Sequence, residues 1–229
     1  DNPDGGIGTF SPQFMNIALS YAKKFTYNMS AGMTVKMISE SAAELVANGF
    51  AIDAGVHYET GEKGQAKFGI TLKNVGPRMS FNGDGDDLSL TGENGYDMTF
   101  EVRSAPFELP SLLNIGLSYD FYFSSESEED LVRMTFSGNF VSNSFSKDQI
   151  LGGVELSWKD IVSLRGGYSY ESNIMDDFDD GRSTAFTGMS AGLSIELPIS
   201  DETIFGLDYS YRPADPLSSV HTFGARIML

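Results

Sequence analysis

The chain has 229 residues, no cysteine, and 15 Lys+Arg against 32 Asp+Glu, for a formal net charge of -17. That balance argues against nucleic-acid binding, which needs clustered Lys and Arg, and the lack of cysteine excludes disulfides and thiolate metal sites. No apolar run approaches the ~20 residues of a membrane helix, while a mean hydropathy of -0.16 with 41% hydrophobic residues suits a protein that is greasy on one face only.

Taken in chain order, segments of about ten residues carry bulky apolar side chains at every second position. In 15–25, Met15, Ile17, Leu19 and Tyr21 fall on one face of a strand, and Asn16, Ala18, Ser20 and Ala22 on the other. Further strands are predicted at 31–39, 50–59, 66–74, 113–123, 131–141, 149–158, 161–170, 187–197, 204–211 and 221–229. In 50–59, Phe50, Ile52, Val56 and Tyr58 oppose Asp53, Gly55, His57 and Glu59; in 113–123, Leu113, Ile115, Leu117, Tyr119 and Phe121 oppose Asn114, Gly116, Ser118 and Asp120. The expected fold class is therefore all-β, a transmembrane antiparallel barrel with about eleven spanning strands, apolar toward lipid and polar toward a lumen.

Loop lengths orient it. Bacterial barrels have short periplasmic turns and longer outer loops, and usually end on a descending strand. Counting back from Leu229 puts 159–160 and 198–202 inside and 172–183 and 212–219 outside. An alternating segment at 96–103 breaks the rule if it spans and satisfies it if it does not, so 75–112 reads as one long extracellular excursion carrying a strand above the membrane. An odd strand count and an external start then make 1–229 a single barrel domain expected to lack its N-terminal strands.

Aromatic residues agree with this orientation. Tyr21, Tyr58, Tyr119, Phe121 and Trp158 come late in descending strands, and Tyr168, Tyr170, Tyr209 and Tyr211 late in ascending ones, giving two interfacial belts. The opposite face is heavy in Gly, Ser and Ala, as at Ser30, Gly32, Gly188, Ser190, Gly192 and Ser194. A water-soluble sandwich would carry Lys, Glu and Thr there.

Charges of both signs are expected to face the lumen: Lys36, Asp53, Lys67, Lys73, Asp120, Arg133, Glu155, Arg165, Glu196, Asp208 and Arg226. They read as a salt-bridged, wet interior rather than a binding track. The excursion and the other outer loops are the expected partner-binding surface, with Met79, Phe81, Tyr96, Met98, Phe100, Val102 and Phe107 more apolar than a solvated loop requires.

Catalytic patterns are sparse. The two histidines, His57 and His221, have no acid–base partner in sequence. The run from Asn82 to Asp87 lacks the sixth-position glycine and the distal glutamate of a calcium loop, and Asp176, Asp177, Asp179 and Asp180 read as a solvated acidic loop. Gly6-Ile7-Gly8 and Gly83-Asp84-Gly85 lack the third glycine of a nucleotide fingerprint. No enzymatic activity, metal or cofactor is expected.

Five blocks carry a family likeness: ALSYAKKFTYNMSAGMTVKMISES (18–41), GFAIDAGVHYETGEKGQAKFGITLKNVGPRMSFNG (49–83), LPSLLNIGLSYDF (109–121), LRGGYSY (164–170) and LDYSYRPADPLSSVHTFGARIML (207–229). In their succession they resemble the PorV/PorQ family of FadL-like outer-membrane barrels. The resemblance implies a barrel of about fourteen strands when complete, with an N-terminal plug-like segment that this chain would lack. It implies residence in the outer membrane of a Gram-negative bacterium and a non-enzymatic role in type IX secretion, binding translocon or attachment proteins and the C-terminal domains of cargo. The alternative is a FadL-like transporter of small hydrophobic molecules, for which Ile38, Leu151 and Met228, apolar on the lumen side, are the hints.

Overall fold

A computed structural model describes residues 11–83, 87–91, 96–101, 104–125, 128–176, 181–200 and 203–228; side chains at 87–91, 97–101, 124–125 and 128–131 are outside that description. The chain is all-β. Its strands are β1 (Gln13–Lys24), β2 (Met29–Ala42), β3 (Leu45–Thr60), β4 (Ala66–Val75), β5 (Asp87–Thr91), β6 (Asp97–Glu101), β7 (Leu112–Ser125), β8 (Glu128–Asn143), β9 (Gln149–Trp158), β10 (Val162–Glu171), β11 (Met189–Pro198), β12 (Ile204–Arg212) and β13 (Val220–Met228). Eleven of them form one antiparallel sheet, in the order β1-β2-β3-β4-β7-β8-β9-β10-β11-β12-β13. Neighbours in sequence are neighbours in the sheet, as short connections between alternating strands favour.

The expected strand at 96–103 is β6, and it lies outside the main sheet. It pairs in antiparallel register with β5, Leu88 opposite Phe100 and Leu90 opposite Met98. The alternation had pointed to one strand here, and β5 was not expected because its five residues lie in an acidic, glycine-rich stretch. Several strands also outrun the ten residues expected, β3 and β8 reaching 16 each.

The chain divides into two compact units, one of residues up to 23, 32–55 and 72–111, the other of 24–31, 56–71 and 112–229. In the first, the buried apolar cluster lies on the small-residue face of β3. Ala47 and Ala51 are fully buried against Met79 and Leu109, with Ile38, Phe81 and Phe107 packed on them. Phe50 and Ile52, on the other face of β3, stay exposed. The excursion after β4 thus folds back onto this unit's own polar-side strands. An antiparallel bridge between Val46 and Asn82 ties it to β3, and a second, between Met79 and Phe107, pairs its two arms, through backbone bonds of 2.8–3.0 Å. Gly49 makes the approach possible, since a Cβ there would come 2.6 Å from Met79 Cγ.

In the second unit, β7 to β13 run in regular antiparallel register, broken once between Phe123 and Ser125. The two-residue turn Lys159–Asp160, with φ of 52° and 53°, matches the hairpin geometry that continues strand twist. Burial here is inverted relative to a water-soluble protein. Leu117 on β7, Ile150 and Trp158 on β9, Leu164 on β10 and Phe223 on β13 are exposed, while Asp120, Ser157, Ser163 and Ser194 on the opposite face are buried.

Candidate functional site

The polar face of the second unit carries a continuous chain of ion pairs and hydroxyl relays, built by strand register. Lys67 Nζ sits 2.7 Å from Asp120 Oδ2. Thr135 lies directly opposite Asp120 across β7 and β8 and donates to its other oxygen at 2.6 Å. Thr135 also lies opposite Glu155, and Arg133, two residues away, reaches Thr135 at 3.2 Å, Glu155 at 3.1 Å and Asp160 at 3.1 Å. Glu155 and Arg165 are directly opposed across β9 and β10, 2.5 Å apart.

From Arg165 the chain continues through Ser194, which accepts from the guanidinium and donates to Asp208, its register partner on β12. Asp208 lies 4.0 Å from Arg165 and 3.7 Å from Arg226, and Arg226 closes onto Glu196. Glu196 and Arg226 are both opposite Gly206, one on each neighbouring strand. A Cβ at Gly206 would sit 2.6 Å from Arg226 Nε, so the glycine opens the path between the two charges. Each charged member has an opposite partner, and the network fastens neighbouring strands without presenting a field of one sign.

In the first unit the same face holds a smaller knot. Lys36 Nζ lies 2.5 Å from Asp53 and donates to Asn74 Oδ1 at 2.9 Å, while Asn74 donates from its backbone N–H to Asp53 at 2.8 Å and from its amide to Pro110 O at 2.9 Å. Asn74 has φ +58°, a conformation asparagine tolerates better than most residues, and it turns the chain from β4 into the excursion. Lys73 is exposed.

The residues expected to contact partners are placed differently. Met79 is 2% exposed, inside the chain's own apolar cluster, and Phe81 and Phe107 pack on that cluster with their rings stacked at 5.4 Å. The reason is that β3 offers two alanines and a glycine on this face, a shallow apolar floor that large side chains fill. Among the members whose side chains are described, Tyr96 alone is exposed, at 76%. The side chains of Met98 and Phe100, and Val102 altogether, lie outside the described residues.

Sequence reasoning missed the relays: Thr135, Ser194 and Asn74 look like filler between charges until register sets them beside carboxylates. His221, for which the sequence offered no partner, lies opposite Tyr211 and shares a 2.8 Å hydrogen bond with Tyr209 Oη on the apolar face. His57 lies 3.5 Å from Glu59. Among the described residues no three His, Asp or Glu side chains converge as a metal site. Much of the two acidic runs, including Asp84, Asp86, Asp177, Asp179 and Asp180, is outside the described residues.

No protein-family model and no curated protein matches the chain. Among solved structures it is similar to the toluene transporter TbuX of Ralstonia pickettii, with a TM-score of 0.48 and 11% identity over 96% of this chain and 67% of that one. It is also similar to the translocator domain of the autotransporter NalP from Neisseria meningitidis, with a TM-score of 0.39 and 13% identity over 95% of this chain and 80% of that one.

Proposed function

We propose that the sheet is wall of an outer-membrane β-barrel of a Gram-negative bacterium and that the protein works without catalysis, as a subunit of the type IX secretion system. The observation that carries the membrane assignment is the inverted burial: alternate apolar side chains stand in the open on one face while Asp120, Ser157 and Ser194 are buried on the other. Water would penalise that surface; lipid rewards it. The secretion reading is supported by the succession of sequence blocks from 18 to 229. It is also supported by large apolar residues left exposed in the expected outer loops, Tyr96 at 76%, Met175 at 82% and Leu217 at 65%. Such residues give translocon partners, or the β-domain of a cargo protein, something to grip.

A second reading is favoured by one observation, the cluster of Met79, Phe81, Phe107 and Leu109 against Ala47 and Ala51. An excursion folded down on the polar side acts as a lid, and a lid suits a FadL-like transporter of small hydrophobic molecules. Deleting 83–95 while keeping the spanning strands separates the two. Secretion predicts that partner proteins no longer co-purify from mild detergent with the barrel still folded. Intact co-purification with altered uptake of hydrophobic molecules would replace that reading with transport.

A further inference from the structure

The apolar face of β11, β12 and β13 carries no carboxylate, lysine or arginine at any position, and its one basic side chain is His221, which stands exposed near the start of β13. In a chain with a net charge of -17, an anion can approach this face without meeting an acid. The one carboxylate of the loop between β12 and β13, Asp215, is paired with Arg182 at 3.4 Å.

The imidazole is held in place on one side and free on the other. Its Nδ1 lies 2.8 Å from Tyr209 Oη, and its ring centroid lies 5.1 Å from that of Tyr211, whose hydroxyl is bonded to Ser219 Oγ at 3.1 Å. Nε2 has no hydrogen-bond partner among the described residues. A hydroxyl that donates to Nδ1 leaves the proton of a neutral imidazole on Nε2, and a protonated ring carries one there as well. Nε2 is then a donor in want of an acceptor. Along the same face of β13 follow Phe223, Ala225 and Ile227, with Leu207 opposite Ala225. Phe223 is 78% exposed and Ile227 65%, so the alanine between them makes a notch in which a hydrocarbon chain can lie along the strand.

We propose that His221 is a docking point for the phosphate of a membrane lipid: Nε2–H donates to a phosphate oxygen while an acyl chain lies over Ala225, between Phe223 and Ile227. An ionised head is favoured over an uncharged one because a hydrogen bond to a charged acceptor is roughly twice as strong as a neutral one. A lipid is favoured over a free anion because the apolar steps along β13 add contact that only a hydrocarbon chain can use. Tyr209 and Tyr211, as interfacial aromatics, set the imidazole at headgroup depth, where such a phosphate lies. The proposal rests on the membrane assignment above and is independent of whether the protein serves secretion or transport, since the lipid is bound as surroundings and not as cargo.

The test places the protein in nanodiscs of digalactosyldiacylglycerol, a bilayer lipid without phosphate, and follows the 15N signals of its histidine rings. The chain has two histidines, and His57→Gln tells their signals apart. Phosphatidic acid or oleate is added as a small fraction of the lipid, and inorganic phosphate, in a separate sample, to the buffer. The proposal predicts a His221 ring with its proton on Nε2, whose signals move saturably with phosphatidic acid and reach half their shift at a mole fraction about fivefold lower than oleate requires, the scale of one hydrogen bond. Inorganic phosphate should leave them in place. His221→Gln should lower the phosphatidic acid retained through detergent extraction about fivefold, read by mass spectrometry. Equal responses to phosphatidic acid and oleate overturn the proposal, as does a response to inorganic phosphate as strong as that to the lipid, which would mark a free-anion site. Unchanged retention in folded His221→Gln also overturns it; if that variant fails to fold, the ligand series still decides. Protein that does not enter the discs overturns the membrane assignment and this proposal with it, whereas entry without a response at His221 overturns this proposal alone.

Discussion

Lys67 Nζ lies 2.7 Å from Asp120 Oδ2, and the two differ in exposure: the carboxylate is 1% exposed and the lysine side chain 34%. The pair sits on strands neighbouring in space though 53 positions apart in sequence, and it anchors one end of the charge network that runs on to Glu196.

Removing Lys67 alone should therefore be worse than removing both charges. Lys67→Met leaves Asp120 buried with Thr135 as its remaining side-chain donor and should cost about 3 kcal/mol, the low end for a broken buried pair because the lysine end is open. Lys67→Met with Asp120→Asn should recover part of that loss. Urea unfolding in detergent measures both, and a double variant no more stable than the single one would mean that the pair is not coupled.

The two faces of β7 should respond oppositely to charge. Leu117 is 63% exposed on the apolar face, and Leu117→Arg near mid-membrane should cost about 2–4 kcal/mol in refolding into bilayers. Ser118→Arg, on the polar face, should cost much less. Equal penalties for the two would contradict the assignment of faces.

Met79 should act as the clasp of the excursion. Met79→Ala empties the centre of a cluster floored by alanines and should cost about 2–5 kcal/mol locally. The expected result is faster proteolysis within 75–112 with the β-sheet circular-dichroism signal unchanged. Proteolysis no faster than in the parent protein would show that the bridges at Val46–Asn82 and Met79–Phe107 hold the excursion without this side chain.

The protein has a single tryptophan, Trp158, exposed at the end of β9 beside the Lys159–Asp160 turn. Tryptophan favours the membrane interface. Its fluorescence in vesicles should be quenched more by lipids brominated near the headgroup than by lipids brominated near the bilayer centre, and the reverse order would displace β9 along the membrane normal.

How much of this was legible in the sequence follows from what period 2 encodes. Leu113 to Phe121 alternate in sequence and on the strand because a pleat leaves no other choice, so strand positions and faces could be read directly. Charge partners could not: Arg165 meets Glu155 only because β9 and β10 turn at Lys159–Asp160, and Ser194 becomes a relay only once Asp208 is set opposite it. The excursion is a different case. Met79, Phe81 and Phe107 are apolar as a binding surface would be, but apolarity does not say whether a partner or the chain itself covers them, and the floor that does so, Ala47 and Ala51, lies about thirty residues upstream of Met79 and looks unremarkable on its own. β5 was invisible because alternation weakens among aspartates and glycines.

The central claim is that one face of this sheet meets lipid, and the absence of native cysteine makes it directly measurable. Single cysteines placed in turn at 113–121 on β7 and spin-labelled in lipid vesicles report collision with oxygen, which concentrates in the bilayer, and with a water-soluble nickel chelate. The account predicts a period of 2, with oxygen dominant at 113, 115, 117, 119 and 121 and the nickel chelate or burial dominant at 114, 116, 118 and 120. Accessibility to the nickel chelate on the odd positions, or no period at all, would contradict it.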